Sequence, residues 1–217
     1  MTHPLTSHAR TSHDAIVFDL DGTLWDAAAA STYGWNLALA EMGLSLRVDD
    51  DGIRSVSGNP FPRCVEILLP ELSPVPESTL RLVEDYERVG IEALAGVLYE
   101  GVAEGLRELA DVCPLFLVSN CPDWYAEAFF RVTGLAECFT GWDCHGSSGV
   151  GKSRMLLNMR ERYHLVNAVY VGDTQGDRSA AREADMEFVF VRYGFGKAVQ
   201  ASLAFDTFEE LVAHFLG

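Results

Sequence analysis

Basic residues are scarce in this chain. Sixteen Lys and Arg stand against 32 Asp and Glu in 217 residues, a formal net charge of −16 at pH 7. Nucleic acid and anionic membranes both reward basic surfaces, so neither is expected as a partner. Long apolar runs are also missing, which excludes a membrane-spanning helix. The five cysteines (Cys64, Cys113, Cys121, Cys138, Cys144) are odd in number and form no CxxC pair. That excludes a disulfide framework and is expected of reduced thiols in a cytoplasm. Cys138, Cys144 and His145 lie close together in sequence. Without a second ligand pair they read as loop and core thiols, not as a zinc site. Met1 to His13 carry three histidines and no apolar h-region, and read as a disordered lead-in, not a signal peptide. No internal repeat and no low-complexity linker is present, and nothing marks an oligomeric interface.

What the chain does have is enough apolar material for a core, 48% hydrophobic against 22% charged residues. Its length suits one large domain or a core with a modest insertion. Four short runs organise it: Ala15 to Phe18, Pro114 to Val118, Ala168 to Val171 and Phe188 to Val191. Each is β-rich without polar alternation, as expected of strands buried on both faces of a parallel sheet. Helical patterns separate them, at Val102 to Ala110, Pro122 to Thr133, Ser153 to Tyr163 and Asp177 to Ala184. Phe205 to Leu216 reads as a packed C-terminal helix. Strands alternating with helices predict an α/β fold with a doubly wound, Rossmann-like parallel sheet. One stretch breaks the rhythm, with roughly seventy-five residues after the first run and no comparable β-run among them. Ala27 to Met42, Phe61 to Leu69 and Glu77 to Leu94 read as helices there, punctuated by Gly43, Gly58-Asn59-Pro60, Pro70 and Pro74-Val75-Pro76. The expected organisation is a core of residues 1–25 and 98–217 with an all-helical insertion over 26–97.

In open α/β sheets ligands bind beyond the carboxyl ends of the strands. Asp19, Asp21, Gly22 and Thr23 follow the first run, Ser119 and Asn120 the second, and Gly172, Asp173 and Asp177 the third. Lys152 starts the helix leading into that third strand. Any one of these has a plain structural explanation, as a turn residue, a helix cap or a solvated cation. Their convergence on one edge does not. Closely placed carboxylates repel unless a hard cation such as Mg²⁺ sits among them. A free carboxylate can attack phosphorus, and a second one nearby can move the proton. A hydroxyl and an ammonium group can hold phosphoryl oxygens as charge spreads over them.

With these residues in place, the chain resembles the haloacid dehalogenase (HAD) superfamily over nearly all of Ala15 to Val191. The first motif is complete as Asp19-Leu20-Asp21-Gly22-Thr23-Leu24. The second is Val118-Ser119-Asn120, the third Lys152, and the fourth Gly172-Asp173-Thr174-Gln175-Gly176-Asp177. The resemblance implies a Mg²⁺-dependent phosphatase acting through an aspartyl-phosphate. It implies Asp19 as nucleophile and metal ligand, with Asp21 as general acid/base lending its carbonyl to the metal. It also implies Asp173 as a direct ligand, Asp177 supporting the metal site through water, Ser119 and Asn120 on the phosphoryl group, and Lys152 steadying both Asp19 and the phosphoryl. The helical insertion resembles the cap of phosphoglycolate-phosphatase-like members, which closes over the core. Gly151-Lys152-Ser153-Arg154 departs from the family's Gly-Lys-Pro, which leaves the local loop shape open.

Other readings share these residues. Gly146 to Ser153 is a complete GxxxxGK[ST] string, the phosphate-binding loop of ATPases and kinases. The segment Thr140 to His145 before it makes a poor buried strand, and that reading leaves Asp19 without a role. A receiver domain carries no helical insertion after its phosphoacceptor strand. A dehalogenase dispenses with a second Asp and with metal. A sugar-phosphate mutase uses the same core residues and stays open. The expected substrate is a small phosphate ester, with phosphoglycolate a candidate on resemblance alone. Gly58, Asn59 and Arg63 in the insertion, and Trp25 near its hinge, are the candidates for recognising the rest of it.

Overall fold

The computed structural model describes residues 13–197 and 199–217. The lead-in read from Met1 onward therefore lies, apart from His13, outside the described residues. The chain opens with β1 (Ala15–Phe18) and β2 (Trp25–Asp26), then enters four helices. These are α1 (Ala28–Glu41), α2 (Asp50–Val56), α3 (Phe61–Leu68) and α4 (Glu77–Leu94). It returns through β3 (Val97–Leu98), α5 (Val102–Ala110), β4 (Leu115–Ser119) and α6 (Asp123–Thr133). Then follow β5 (Gly141–Cys144), the single turn α7 (His145–Ser148), α8 (Lys152–Tyr163), β6 (Ala168–Gly172) and α9 (Gln175–Glu183). β7 (Glu187–Val191), β8 (Leu203–Phe205) and α10 (Phe208–Leu216) complete the chain.

Six strands form one sheet in the order β5-β4-β1-β6-β7-β8, every pair parallel. Successive residues of the central strands point into different cores, which is the strand's period of two made visible. Ile16, Phe18, Leu115, Leu117, Val169 and Val171 join α5, α6 and α10 on one face. Val17, Phe116, Val118 and Tyr170 join α8 and α9 on the other. Both faces are covered, so these strands carry no polar alternation.

Two strands of this sheet escaped the sequence reading, as did the short β2 and β3 outside it. β5 lies at one edge and is mostly half-buried, with Gly, Trp and Asp in place of an apolar run. β8 is a three-residue strand at the opposite edge, ending at Phe205, where the sequence reading started the last helix. Thr207 caps α10 instead, accepting from Glu210 N at 3.1 Å. An edge strand needs to bury less, so its sequence says less.

The helices between β2 and β3 have a core of their own, built on Trp35, Leu39, Ile53, Val56, Val65 and Val83. Its helix α2, capped by Asp49, was not read from the sequence. α1 and α4 cross at backbone contact where Gly34 and Gly90 meet. A Cβ on Gly90 would strike the Ala30 carbonyl, and one on Gly34 would lie 2.7 Å from Glu87 Cα. β2 and β3 pair antiparallel, Trp25 with Leu98 and Asp26 with Val97, where the chain leaves the sheet region and returns. Among the described residues no helix is long and apolar enough to cross a membrane.

Candidate active site

The strand order puts β4, β1 and β6 side by side in the middle of the sheet. Their carboxyl ends carry Ser119, Asp19 and Asp173 respectively, so three motifs distant in sequence share one spot. Asp19, Ser119, Lys152, Asp173 and Asp177 are all buried. Groups of this polarity are buried only when paired or when they hold a ligand.

Lys152, one of two lysines in the chain, is the cation of the cluster. Its Nζ donates to Asp19 Oδ1 at 2.8 Å and to Asp177 Oδ1 at 2.6 Å. Asp177 Oδ2 accepts from Thr174 N at 2.9 Å and Thr174 Oγ1 at 2.6 Å. Thr174 and Asp177 also cap α9 reciprocally, which fixes the acid in place. Asp173 Oδ2 accepts from the amides of Phe195 at 2.6 Å and Gly196 at 3.1 Å.

Two carboxylate oxygens, Asp19 Oδ2 and Asp173 Oδ1, are buried with no hydrogen-bond partner among the described residues. Buried polar atoms are seldom left this way, and here the pair belongs to different acids of one cluster. One ligand atom each from Asp19, Asp173 and Asp177 falls within 4.8 Å of the others. The donors are all hard oxygens, so the set fits a hard divalent cation. Asp177 has both oxygens engaged by Lys152 and Thr174, which leaves Asp19 and Asp173 as the acids with an oxygen to give.

The electrostatics agree. Three carboxylates face one ammonium, and burial raises the Asp19 carboxyl well above the usual carboxylate range. Asp177 and Asp173 add to the rise, and Lys152 opposes it. Burial and Asp177 push Asp173 up to about 7, against the two amides. Burial opposes the charge on Lys152, but Asp177 and Asp19 outweigh it and hold the ammonium well above its ordinary value. The site carries surplus negative charge that a cation would relieve.

Asp21 sits at the rim, half-buried. Tyr125 Oη donates to its Oδ1 at 2.6 Å. Burial raises its carboxyl to about 6, with the Tyr125 bond pulling the other way. Gly22, directly after Asp21, has φ +78°, and a Cβ there would collide with Asp173 Oδ2. The Gly of the first motif is thus required by the acid of the fourth. Ser119 Oγ accepts from Cys121 N at 3.3 Å, and Asn120 Nδ2 donates to Gly58 O at 2.8 Å. Asn120 therefore ties the sheet edge to the helical segment.

Some expectations are corrected. Thr140 to His145, a poor buried strand by its sequence, holds a mostly half-buried edge strand, Gly141–Cys144, paired in parallel with β4. The phosphate-loop reading fails for a different reason. Gly146 N and Gly149 N already donate to Cys121 O at 3.1 Å and His145 O at 2.8 Å, so these two glycine amides are not turned on an anion. Lys152 Nζ lies between Asp19 and Asp177 at the strand ends, not over the loop. Cys138, Cys144 and His145 form no metal-ligating cluster among the described residues. His145 Nδ1 faces Val150 O at 3.0 Å, and the five thiols are free and buried. Arg63 is exposed, pairs with Glu66 at 2.9 Å and does not line the cleft above the site, whereas Gly58 and Asn59 do. Trp25 is fully buried against Tyr125 and Phe129, a hinge-packing residue.

Other residues entered the site without having been read from the sequence. Thr174, three before Asp177, carried a capping signal. Phe195 and Gly196, in a glycine-rich loop after β7, carried a turn signal. Tyr125 had none, because only the helix N-terminus after β4 brings its hydroxyl back to Asp21.

Comparison with known proteins agrees with this geometry. The model of the haloacid dehalogenase-like hydrolase family matches residues 13–185. A phosphoglycolate phosphatase of Rhodobacter capsulatus is 31% identical over 193 residues, 84% of this chain and 86% of that protein. An N-acetylmuramic acid 6-phosphate phosphatase of Pseudomonas putida is 31% identical over 83% of each chain. Among solved structures, a predicted phosphoglycolate phosphatase of Haemophilus somnus superposes with a TM-score of 0.80 at 21% identity, over 94% of this chain and 98% of that one. A haloacid dehalogenase-like hydrolase of Streptococcus pneumoniae gives 0.77 at 22% identity, over 94% and 99%. The chain belongs to the haloacid dehalogenase-like hydrolase family, as a phosphatase of its phosphoglycolate-phosphatase-like subgroup.

Proposed function

We propose that this phosphatase is a Mg²⁺-dependent phosphomonoesterase that works through an aspartyl-phosphate on Asp19. The observation that carries the reading is the Asp19 side chain. One oxygen is held 2.8 Å from the Lys152 ammonium, and the other is buried without a partner beside the equally unpartnered Asp173 Oδ1.

In the first step Asp19 Oδ1 attacks phosphorus and the ester P–O bond breaks. Asp21, raised to about 6, gives its proton to the departing alkoxide. In the second step Asp21 takes a proton from water, whose oxygen attacks phosphorus. The bond to Asp19 breaks and phosphate leaves. Lys152, Ser119 and Asn120 hold phosphoryl oxygens through both steps. Asp19, Asp173 and the Asp21 backbone carbonyl would hold the metal, with Asp177 steadying it through Lys152. When bound, Mg²⁺ neutralises the carboxylates and phosphoryl oxygens together.

Residues 26–97 act as a cap in this account. Contacts that support closure join α6 to α4. Trp124 Nε1 donates to Glu84 Oε1 at 2.8 Å, and the Arg88 guanidinium lies 4.9 Å from the Trp124 ring. Closure over the site removes bulk water and strengthens the electrostatic contacts around phosphorus, while a single water serves the second step.

The substrate is a small phosphate ester. 2-Phosphoglycolate, for which several relatives are named, is the reference compound. The test is a panel of phosphate esters with and without Mg²⁺, comparing wild type with Asp19→Asn. Loss of turnover in the variant and in chelator is expected. Full activity of Asp19→Asn, or metal-independent turnover, would sink the reading. Product analysis with a sugar phosphate separates hydrolysis from transfer within the substrate.

A further inference from the structure

The cleft between the cap and Asp21 contains an acid that the reaction does not use. Glu87 lies on α4, is 7% exposed and lines this cleft together with Asp21, Ser119, Asn120 and Tyr125. Ser31 and Trp35 of α1 are the polar neighbours of its carboxyl, and Trp35 Nε1–H closes no hydrogen bond of normal length among the described residues. Gly34 explains the position of Glu87. With no Cβ there, α1 lies directly against the Glu87 backbone. Burial pushes the Glu87 carboxyl up to about 7, Ser31 and Trp35 pull it down, and Asp21 and Glu84 raise it further.

The rest of the wall matters as much. No Lys, Arg or His lines the cleft among the described residues, and its two titratable carboxyls are Asp21 and Glu87. Lys152 lies beneath, between Asp19 and Asp177 at the phosphoryl end, and does not line the wall around Glu87. A substrate whose alcohol half ends in a carboxylate would bury a second anion beside Glu87 with no cation to meet it. Desolvation opposes that whatever the charge on Glu87, and above about pH 7, where Glu87 is ionised, like-charge repulsion adds to it. A group that donates a hydrogen bond would satisfy Glu87 and gain from its charge. The cavity measures about 60 Å³. One water-sized group needs about 10–15 Å³ on this measure, so the cavity has room for about four to six heavy atoms.

We infer that Glu87 is a specificity-determining residue, and that it selects small phosphomonoesters whose alcohol half ends in a hydrogen-bond donor, hydroxyl or ammonium, against those ending in a carboxylate. This rests on the phosphatase reading of the same site and names its substrate class. It gives the cap an active part in choice. The cap rejects the wrong ester by an uncompensated charge as much as it welcomes the right one.

The test uses three near-isosteric probes that differ only at the far end: 2-hydroxyethyl phosphate, 2-aminoethyl phosphate and 2-phosphoglycolate. In wild type at about pH 8, where Glu87 is ionised, kcat/KM for the better of the first two should exceed that for 2-phosphoglycolate by about 100-fold. The order of those two tells hydroxyl from ammonium. In Glu87→Gln the preference should shrink by about 10-fold, because the repelling charge is gone and an amide remains. Each ratio is read within one preparation. Partial unfolding of the variant lowers all three rates together and leaves the ratio intact. Wild-type preference for 2-phosphoglycolate over both other probes, or an unchanged ratio in Glu87→Gln, overturns the inference. Asp19→Asn is run beside them. If it hydrolyses the probes as wild type does, the nucleophile reading fails, and that failure is separate from any result on the ratio.

Discussion

Lys152 holds Asp19 and Asp177 at once, 2.8 Å and 2.6 Å from its ammonium, so one side chain joins the first motif to the last. All three groups are buried, and removing the cation leaves carboxylates without compensation. Lys152→Ala should destabilise the metal-free protein by about 3–5 kcal/mol. Turnover should fall by about 10²–10³-fold, as when one group stabilising a transition state is lost. Urea unfolding and steady-state kinetics measure the two effects. A variant within twofold of wild-type kcat would remove Lys152 from the phosphoryl site.

Tyr125 bears on proton transfer. Its hydroxyl stabilises ionised Asp21, so Tyr125→Phe should raise the Asp21 pKa from about 6. A hydrogen bond to a charged group is worth about 1.5 kcal/mol, which corresponds to roughly one pH unit. The limb of the kcat/KM profile that reports Asp21 should move to higher pH by about that amount. An acid shift, or none, would separate Tyr125 from the titration.

The metal-free protein should lose stability as pH rises from about 4 to about 7. Asp173 and Asp21 have native pKa values of about 7 and about 6 against 3.8 for the free side chain, and Asp19 is raised as well. Over that window the native state holds protons that the unfolded chain has released, so stability falls with pH. Lys152 is shifted upward from 10.5 and contributes its part unchanged throughout the window. Mg²⁺ should raise the melting temperature more at pH 7.5 than at pH 5, since it binds ionised carboxylates. Calorimetry across pH, with and without Mg²⁺, reads both slopes. A Mg²⁺ effect independent of pH would contradict the acid cluster as its site.

Packing of the helical segment offers a separate test. Gly90→Ala drives a methyl into the Ala30 carbonyl, and neither backbone can step aside without parting α1 from α4. Overpacking of this sort costs about 1–3 kcal/mol. Because Glu87 lies one turn before Gly90, KM should rise with the loss of stability. Hydrogen exchange over α1 and α4 locates the effect, and unchanged exchange there would refute the close crossing.

Much of this was legible in the sequence, for a physical reason. The central strands β1, β4 and β6 are buried on both faces, so they appear as uninterrupted apolar runs, and the residues just beyond them are the site. The edge strands β5 and β8 have less to bury and carried no such signal. Within the site, Asp19, Asp173 and Lys152 were readable from position along one strand or helix. Tyr125 and Glu87 were not, because each reaches the cleft through helix packing that no local spacing encodes. Arg63 shows the converse. A cation near the right glycine looked like a recognition residue, and it faces away toward Glu66.

The central claim concerns Asp19, and trapping the intermediate tests it most directly. Enzyme turning over a phosphate ester with Mg²⁺ is quenched in acid, reduced with borohydride and digested for peptide mass spectrometry. An acyl phosphate is reduced where an ordinary carboxylate is not, so position 19 should be recovered as homoserine, and only when substrate was present. Reduction at another acid, or an unmodified Asp19 in enzyme quenched during turnover, would contradict the account.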